Sequence, residues 1–246
     1  MLTYRLKTGK INRSSSLKWV FATTFCLILA ATFFSCTRID KNKELTEGII
    51  EYKVFYLNTD SVRFDPDIRP DCMVVKFKEN NTVNRVEALS GAFSFAFIQD
   101  LDTKTSVTLV KIFNKKLFYR EPLVENSCHF AYKSMPSITI EYSDETEEFL
   151  GFQCKKALAT FNDSIASSFE IWYTDEIKIN NPNHNTPFEA IDGIMLKFSV
   201  IMFNHRMNIV ATAVKPATLP KDEFVIPFDY EEVDYDTMME LIYLFQ

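Results

Sequence analysis

Large apolar side chains in this sequence fall at every second position, and a period of two is the signature of strands whose side chains point alternately to opposite sheet faces. The pattern is clearest at Phe169, Ile171 and Tyr173, which alternate with Glu170, Trp172 and Thr174. Ile194, Leu196, Phe198, Val200 and Met202 keep one parity, while Lys197 and Ser199 take the other. Between these strands runs Asn180-Asn181-Pro182-Asn183-His184-Asn185-Thr186-Pro187, a cluster that favours turns and breaks ladders. Gly151 and Gly193 each stand just before a strand, where a residue without Cβ can take a conformation closed to others.

The same period continues upstream. Ile50, Tyr52, Val54 and Tyr56 alternate with Glu51 and Lys53; Met73, Val75 and Phe77 follow, and Asn80-Asn81 turns the chain into Thr82–Leu89. Phe93, Phe95 and Phe97 form an aromatic stripe that ends at Gln99-Asp100-Leu101-Asp102. Val107–Phe113 and Lys116–Arg120 are separated by a hairpin signal at Asn114-Lys115. Ser137–Tyr142 precedes the acidic Asp144–Glu148, and Met207–Val214 closes the sheet after a turn at Asn204-His205. About ten strands with short connections predict a mainly β fold, an antiparallel meander, as one domain over residues 48–246. Helix signals are few. The best runs from Asp234 to Phe245, where Met238, Met239, Leu241, Ile242 and Phe245 cluster at helical spacing with Asp234 or Asp236 as the cap; Glu125–Lys133 is a weaker one.

The residues Gly151-Phe152-Gln153-Cys154-Lys155-Lys156-Ala157, then Glu170-Ile171-Trp172-Tyr173-Thr174, then Ile191-Asp192-Gly193-Ile194-Met195-Leu196, carry a resemblance. In that order they resemble the GLPGLI and DUF4412 families of Bacteroidota envelope proteins, as do Asn181-Pro182 and Phe224–Tyr230. The Gly-Leu-Pro-Gly-Leu-Ile signature itself is here Ala190-Ile191-Asp192-Gly193-Ile194-Met195, which makes the chain a divergent relative. The resemblance implies a LolA-like half-barrel, a curved antiparallel sheet with a few short helices including a C-terminal one. It also implies a lipid or acylated ligand, and it implies a fold more than an activity.

Residues 1–35 carry Arg5, Lys7, Lys10, Arg13 and Lys18 with no acidic residue, then an apolar run from Trp19 to Phe34 of 16 residues, then Ser35-Cys36. A basic stretch, a short apolar stretch and a small residue describe a secretory signal, shorter than the ~20 residues of a membrane span. The expectation is a lipoprotein signal over 1–35, lipidation at Cys36, and a flexible tether over 36–47. That places the body in the cell envelope, on the outer membrane facing the periplasm, with the membrane as partner through acylated Cys36. An uncleaved N-terminal anchor is the other reading. Five of the 27 basic residues lie in 1–35, which leaves 22 against 33 acidic ones and a body near −11. With no basic run longer than a pair such as Lys115-Lys116, nucleic acid is excluded as a partner.

Catalytic patterns are absent from the sequence. His129, His184 and His205 each stand alone, without His-x-His, His-Glu-x-x-His or Cys/His pairing, and no metal or cofactor is expected. There is no Gly-x-Ser-x-Gly elbow, so the expectation is a protein that is not an enzyme. The acidic runs Asp144–Glu148 and Glu231–Asp236 lack calcium-loop spacing. Cys72, Cys128 and Cys154 leave one thiol over from any pair. Cys154 reads either as a packed strand residue with Lys155 and Lys156 outward, or as a thiol those lysines activate.

The apolar stripes remain. The 23 phenylalanines and 10 tyrosines suit sheet faces and wide apolar cavities. The candidate cavity lining is Phe93, Phe95 and Phe97, then Phe169, Ile171 and Tyr173, then Leu196, Phe198 and Val200. Two functions follow from whether those residues line a space or fill a core: a half-barrel that binds a lipid or other apolar ligand, or a non-catalytic interaction module with a filled interior.

Overall fold

A computed structural model describes residues 44–57, 69–121, 128–163 and 167–243. The signal expected over 1–35, Cys36 and most of the tether lie outside these residues. Within the tether's expected span, Leu45 is buried and bridges Ile177, and the first strand opens at Glu47.

The chain is mainly β. Strands β1 (Glu47–Tyr56), β2 (Cys72–Lys78), β3 (Asn81–Ala88), β4 (Phe93–Asp100), β5 (Thr105–Ile112) and β6 (Lys115–Glu121) form a run of antiparallel neighbours. A second run follows in β7 (Ile138–Phe149), β8 (Phe152–Phe161), β9 (Ser168–Thr174), β10 (Ile194–Met202) and β11 (His205–Pro216). The two-residue β12 (Glu231–Glu232) lies parallel to β6. All twelve join one curved, open sheet in the order β12-β6-β5-β4-β3-β2-β1-β11-β10-β9-β8-β7. Met207–Val214 therefore does not close the sheet at an edge. It lies at the centre, because β11 pairs with β1 and joins the two runs.

Among the described residues one α-helix, α1 (Tyr235–Tyr243), follows β12. Asp234 caps it, accepting the Thr237 N–H at 2.9 Å, which satisfies one of the amides a helix start leaves unpaired. The weaker helix expected over Glu125–Lys133 is, among the described residues, one 3₁₀ turn over Phe130–Tyr132.

Both faces of β3–β6 are apolar, and each has its own cover. On the outer face Val83, Ala96, Ile98, Val107, Leu109 and Phe118 pack under Phe224, Ile226 and Tyr230. On the inner face Val110 and Leu117 meet Phe130 and the buried Met238, Met239 and Ile242 of α1. Strand alternation delivers apolar groups to both sides; one short helix and irregular segments are enough to cover them.

Candidate functional site

The inner face of the sheet's middle is not filled. A cavity of about 260 Å³ lies against β1–β4, β10 and β11, and is lined as well by Tyr132, by Ile179, Pro182, Asn183 and Thr186, and by Ile242 of α1. Apolar cavities lined by aromatic and aliphatic side chains are the ordinary form of a small-molecule site. Strand parity explains why these residues meet. Tyr52, Val54 and Tyr56 of β1, Met73 and Val75 of β2, and Phe198, Val200 and Met202 of β10 are the inward-pointing positions of neighbouring strands.

Five of the nine candidate residues line this space: Phe93, Phe95, Phe97, Phe198 and Val200. Their surroundings differ. Phe97 meets the His129 ring at 4.6 Å, Phe95 packs on Phe203 at 5.6 Å, and Phe93 lies 4.9 Å from Phe113. Phe198 stands edge-on to Tyr52 and to Phe188.

The other four are core, and each for a physical reason. Phe169, Ile171 and Tyr173 of β9 are buried without lining the cavity. Phe188, from the segment between β9 and β10, sits between Phe169 at 6.4 Å and Phe198 at 5.8 Å and fills the space there. Leu196 breaks the parity of its strand: the register of β10 against β9 slips between Met195 and Lys197, a bulge that leaves Leu196 as the extra residue, with zero exposure. The bulge brings Met195 and Phe198, three positions apart, onto the same lining.

One polar cluster was not visible in the sequence. His129 is 4% exposed and lines the cavity. Its Nδ1 accepts the Ala131 N–H at 3.1 Å, so the ring proton sits on Nε2. Nε2 lies 3.0 Å from Thr108 Oγ1 and 3.1 Å from Glu121 Oε2. That carboxylate oxygen has no aligned donor, so the Glu121 contact is proximity and the ring proton goes to Thr108. Burial pushes Glu121 up to about 7, against the pull of the Phe130 N–H, and holds His129 well below its ordinary 6.5. Thr108 and Glu121 meet the same ring nitrogen, and Thr108 is fully buried. A relay from hydroxyl through imidazole to carboxylate needs opposite nitrogens, so the geometry is that of a tie holding the Phe130 turn onto β5 and β6. No local spacing could have announced it, since the three residues come from two strands and a turn.

The remaining histidines are separate. His184 lies beside Glu189 in the Asn/Pro segment, and His205 lines the cavity 6.0 Å from Tyr56. Cys154 is the packed residue of the two readings. It is buried, its thiol is pushed up to about 11 by burial, and the neighbouring lysines turn away to Asp175 and to Glu145 and Glu170. Among the described residues, the cysteines are free, no group of three His, Cys, Asp or Glu could hold a metal, and no helix is long and apolar enough to cross a membrane.

Comparison with known proteins finds similarity to a family and to solved structures. The family described as N-glycanase peptide, N-terminal domain, matches residues 100–234, more than half of the chain. A solved structure of PNGF-II superposes with a TM-score of 0.50 at 16% identity, over 80% of this chain and 32% of that one. The chain thus spans about a third of the solved protein it matches. No curated protein matches the sequence.

Proposed function

The chain belongs to the N-glycanase peptide N-terminal domain family, and from that premise we propose that it is a binding module of the bacterial cell envelope that holds an apolar ligand in its half-barrel. The observation that carries the proposal is the cavity of about 260 Å³ between the inner sheet face and its cover, lined by Phe93, Phe95, Phe97, Phe198 and Val200. A well-packed core leaves no such space, since interiors pack to crystal density and voids larger than a water are few. An apolar cavity of ~150 Å³ accepts benzene, so by proportion this one takes about ten carbon atoms. In this reading the basic and apolar N-terminus exports the chain, Cys36 carries the lipid anchor on the outer membrane, and the half-barrel is of the LolA-like, GLPGLI or DUF4412 type. Catalysis is not part of the proposal.

A second reading has its own support. The family is defined as an N-terminal domain, and PNGF-II has about three times the length that this chain covers. A module of that origin could instead recruit an envelope partner through its surface. Native mass spectrometry of the full chain, exported in a bacterial host and freed of detergent, separates the two. We expect an added mass in the range of a fatty chain, lost on organic extraction. A mass without it, unchanged after incubation with envelope lipid extract, would overturn the cavity reading in favour of the docking one.

A further inference from the structure

The cavity is chemically lopsided. At one end its polar lining is neutral, with Thr82 Oγ1 donating to Gln99 Oε1 at 3.4 Å and Asn183 tied to backbone carbonyls. At the other, where β1 ends and β2 begins, stands Arg69. It is the one lysine, arginine, aspartate or glutamate among the described lining residues. Its position is built: the guanidinium lies 5.5 Å from the centre of the Tyr56 ring, and the Tyr56 hydroxyl donates to the Pro70 carbonyl at 3.0 Å, fixing the backbone next to Arg69. Arg69 also borders a second, polar hollow rimmed by Asp71, Glu87 and the Leu89–Gly91 turn.

From this placement we infer that the cavity takes a single-chain amphiphile with an anionic head, its chain along Phe97, Phe198 and Val200 and its carboxylate or phosphate at the Arg69 guanidinium. The inference rests on the apolar-ligand reading above and names the class of ligand. An arginine fork presents five donors and pairs with carboxylate or phosphate in a two-bond geometry, so it can serve an anion alongside its protein contacts. The space for about ten carbons fits one chain and leaves no room for the two tails of a phospholipid.

The test is displacement of the neutral fluorophore N-phenyl-1-naphthylamine from the full chain at pH 7.5 by decanoate, decyl phosphate and 1-decanol. Both anions are expected to compete about ten- to hundredfold better than the alcohol, the increment of charge-assisted hydrogen bonds. Arg69→Gln should erase that preference while the alcohol competes as before, and Arg69→Lys should restore part of it. Decanoate alone showing the preference would assign the head to a carboxylate, and decyl phosphate alone to a phosphate. Equal competition by all three in the wild type would overturn the inference and leave the apolar reading standing. Failure of all three to displace the fluorophore would sink both readings.

Discussion

Two neighbouring positions of one strand separate lining from core. Phe198 is partly exposed and faces the cavity, whereas Leu196, two residues earlier, has no exposure. Phe198→Asp should leave a folded protein that no longer takes up the apolar fluorophore, since the new carboxylate can draw water into an existing space. Leu196→Asp should unfold the domain, because a charge without partner or solvent is among the largest single-residue penalties. Circular dichroism with fluorophore titration checks both, and a folded Leu196→Asp would reject the assignment. Read as a strict alternation, the two residues are equivalent. Only the slipped register between β9 and β10 distinguishes them.

Glu121 supplies a pH prediction at the same scale. Its folded carboxyl stays protonated up to about 7, while in the unfolded chain it ionises near its ordinary 4.5, so its contribution is full below 4.5 and is lost as pH rises through 7. His129 works in the opposite direction: neutral when folded, it loses stability as pH falls below its ordinary 6.5. The two slopes offset each other between pH 4.5 and 6.5. Glu121→Gln removes one of them. Its urea midpoint should match or exceed the wild type at pH 8 and fall behind progressively toward pH 5, with a limiting slope of about 1.4 kcal/mol per pH unit. Parallel pH curves for the two proteins would show that Glu121 is not buried as described.

At the scale of elements, the turns show where local signals mislead by one residue. The asparagines of three hairpins mark the turns at Asn80, Asn114 and Asn204, but each is the second residue of its two-residue connection, and Glu79, Phe113 and Phe203 before them adopt positive φ. Tight hairpins demand such angles because their twist must match that of the strands, and the demand falls on whatever residue the register places there. The β7–β8 turn shows the cost. Leu150 at φ 52° and Gly151 at φ 85° make the two-residue connection, glycine at no penalty and leucine against one. Leu150→Asn should raise stability by about 1 kcal/mol, read as a higher urea midpoint. A lower midpoint would mean that the leucine side chain contributes more packing than its backbone loses.

Across the whole described sheet, the decisive contact is the pairing of β1 with β11. Every other antiparallel ladder joins strands adjacent in sequence; this one pairs Ile50 with Val214 and Val54 with Ile209. It makes the first strand a central one and brings the inner faces of the two runs together around the cavity. Hydrogen exchange should therefore find the amides of β1 and β11 opening only with global unfolding, while β7 and β12, at the two ends of the sheet, exchange through local opening. Equal protection of β7 and β1 would contradict that order.

Strand-forming periodicity is a property of consecutive residues, and so the mainly β class, a C-terminal helix starting near Asp234 or Asp236, and the apolar character of the strands on both faces could be read from the sequence alone. Phe93, Phe95 and Phe97 were visible as one stripe for the same reason. What consecutive residues cannot encode is which stripes face one another and what lies between them. Phe188 closing over β9, the bulge that hides Leu196, the meeting of Thr108, Glu121 and His129, and Arg69 at the end of the cavity all depend on contacts between segments far apart in the chain. Those were decided by the β1–β11 pairing and by the irregular segments that fold back over the sheet.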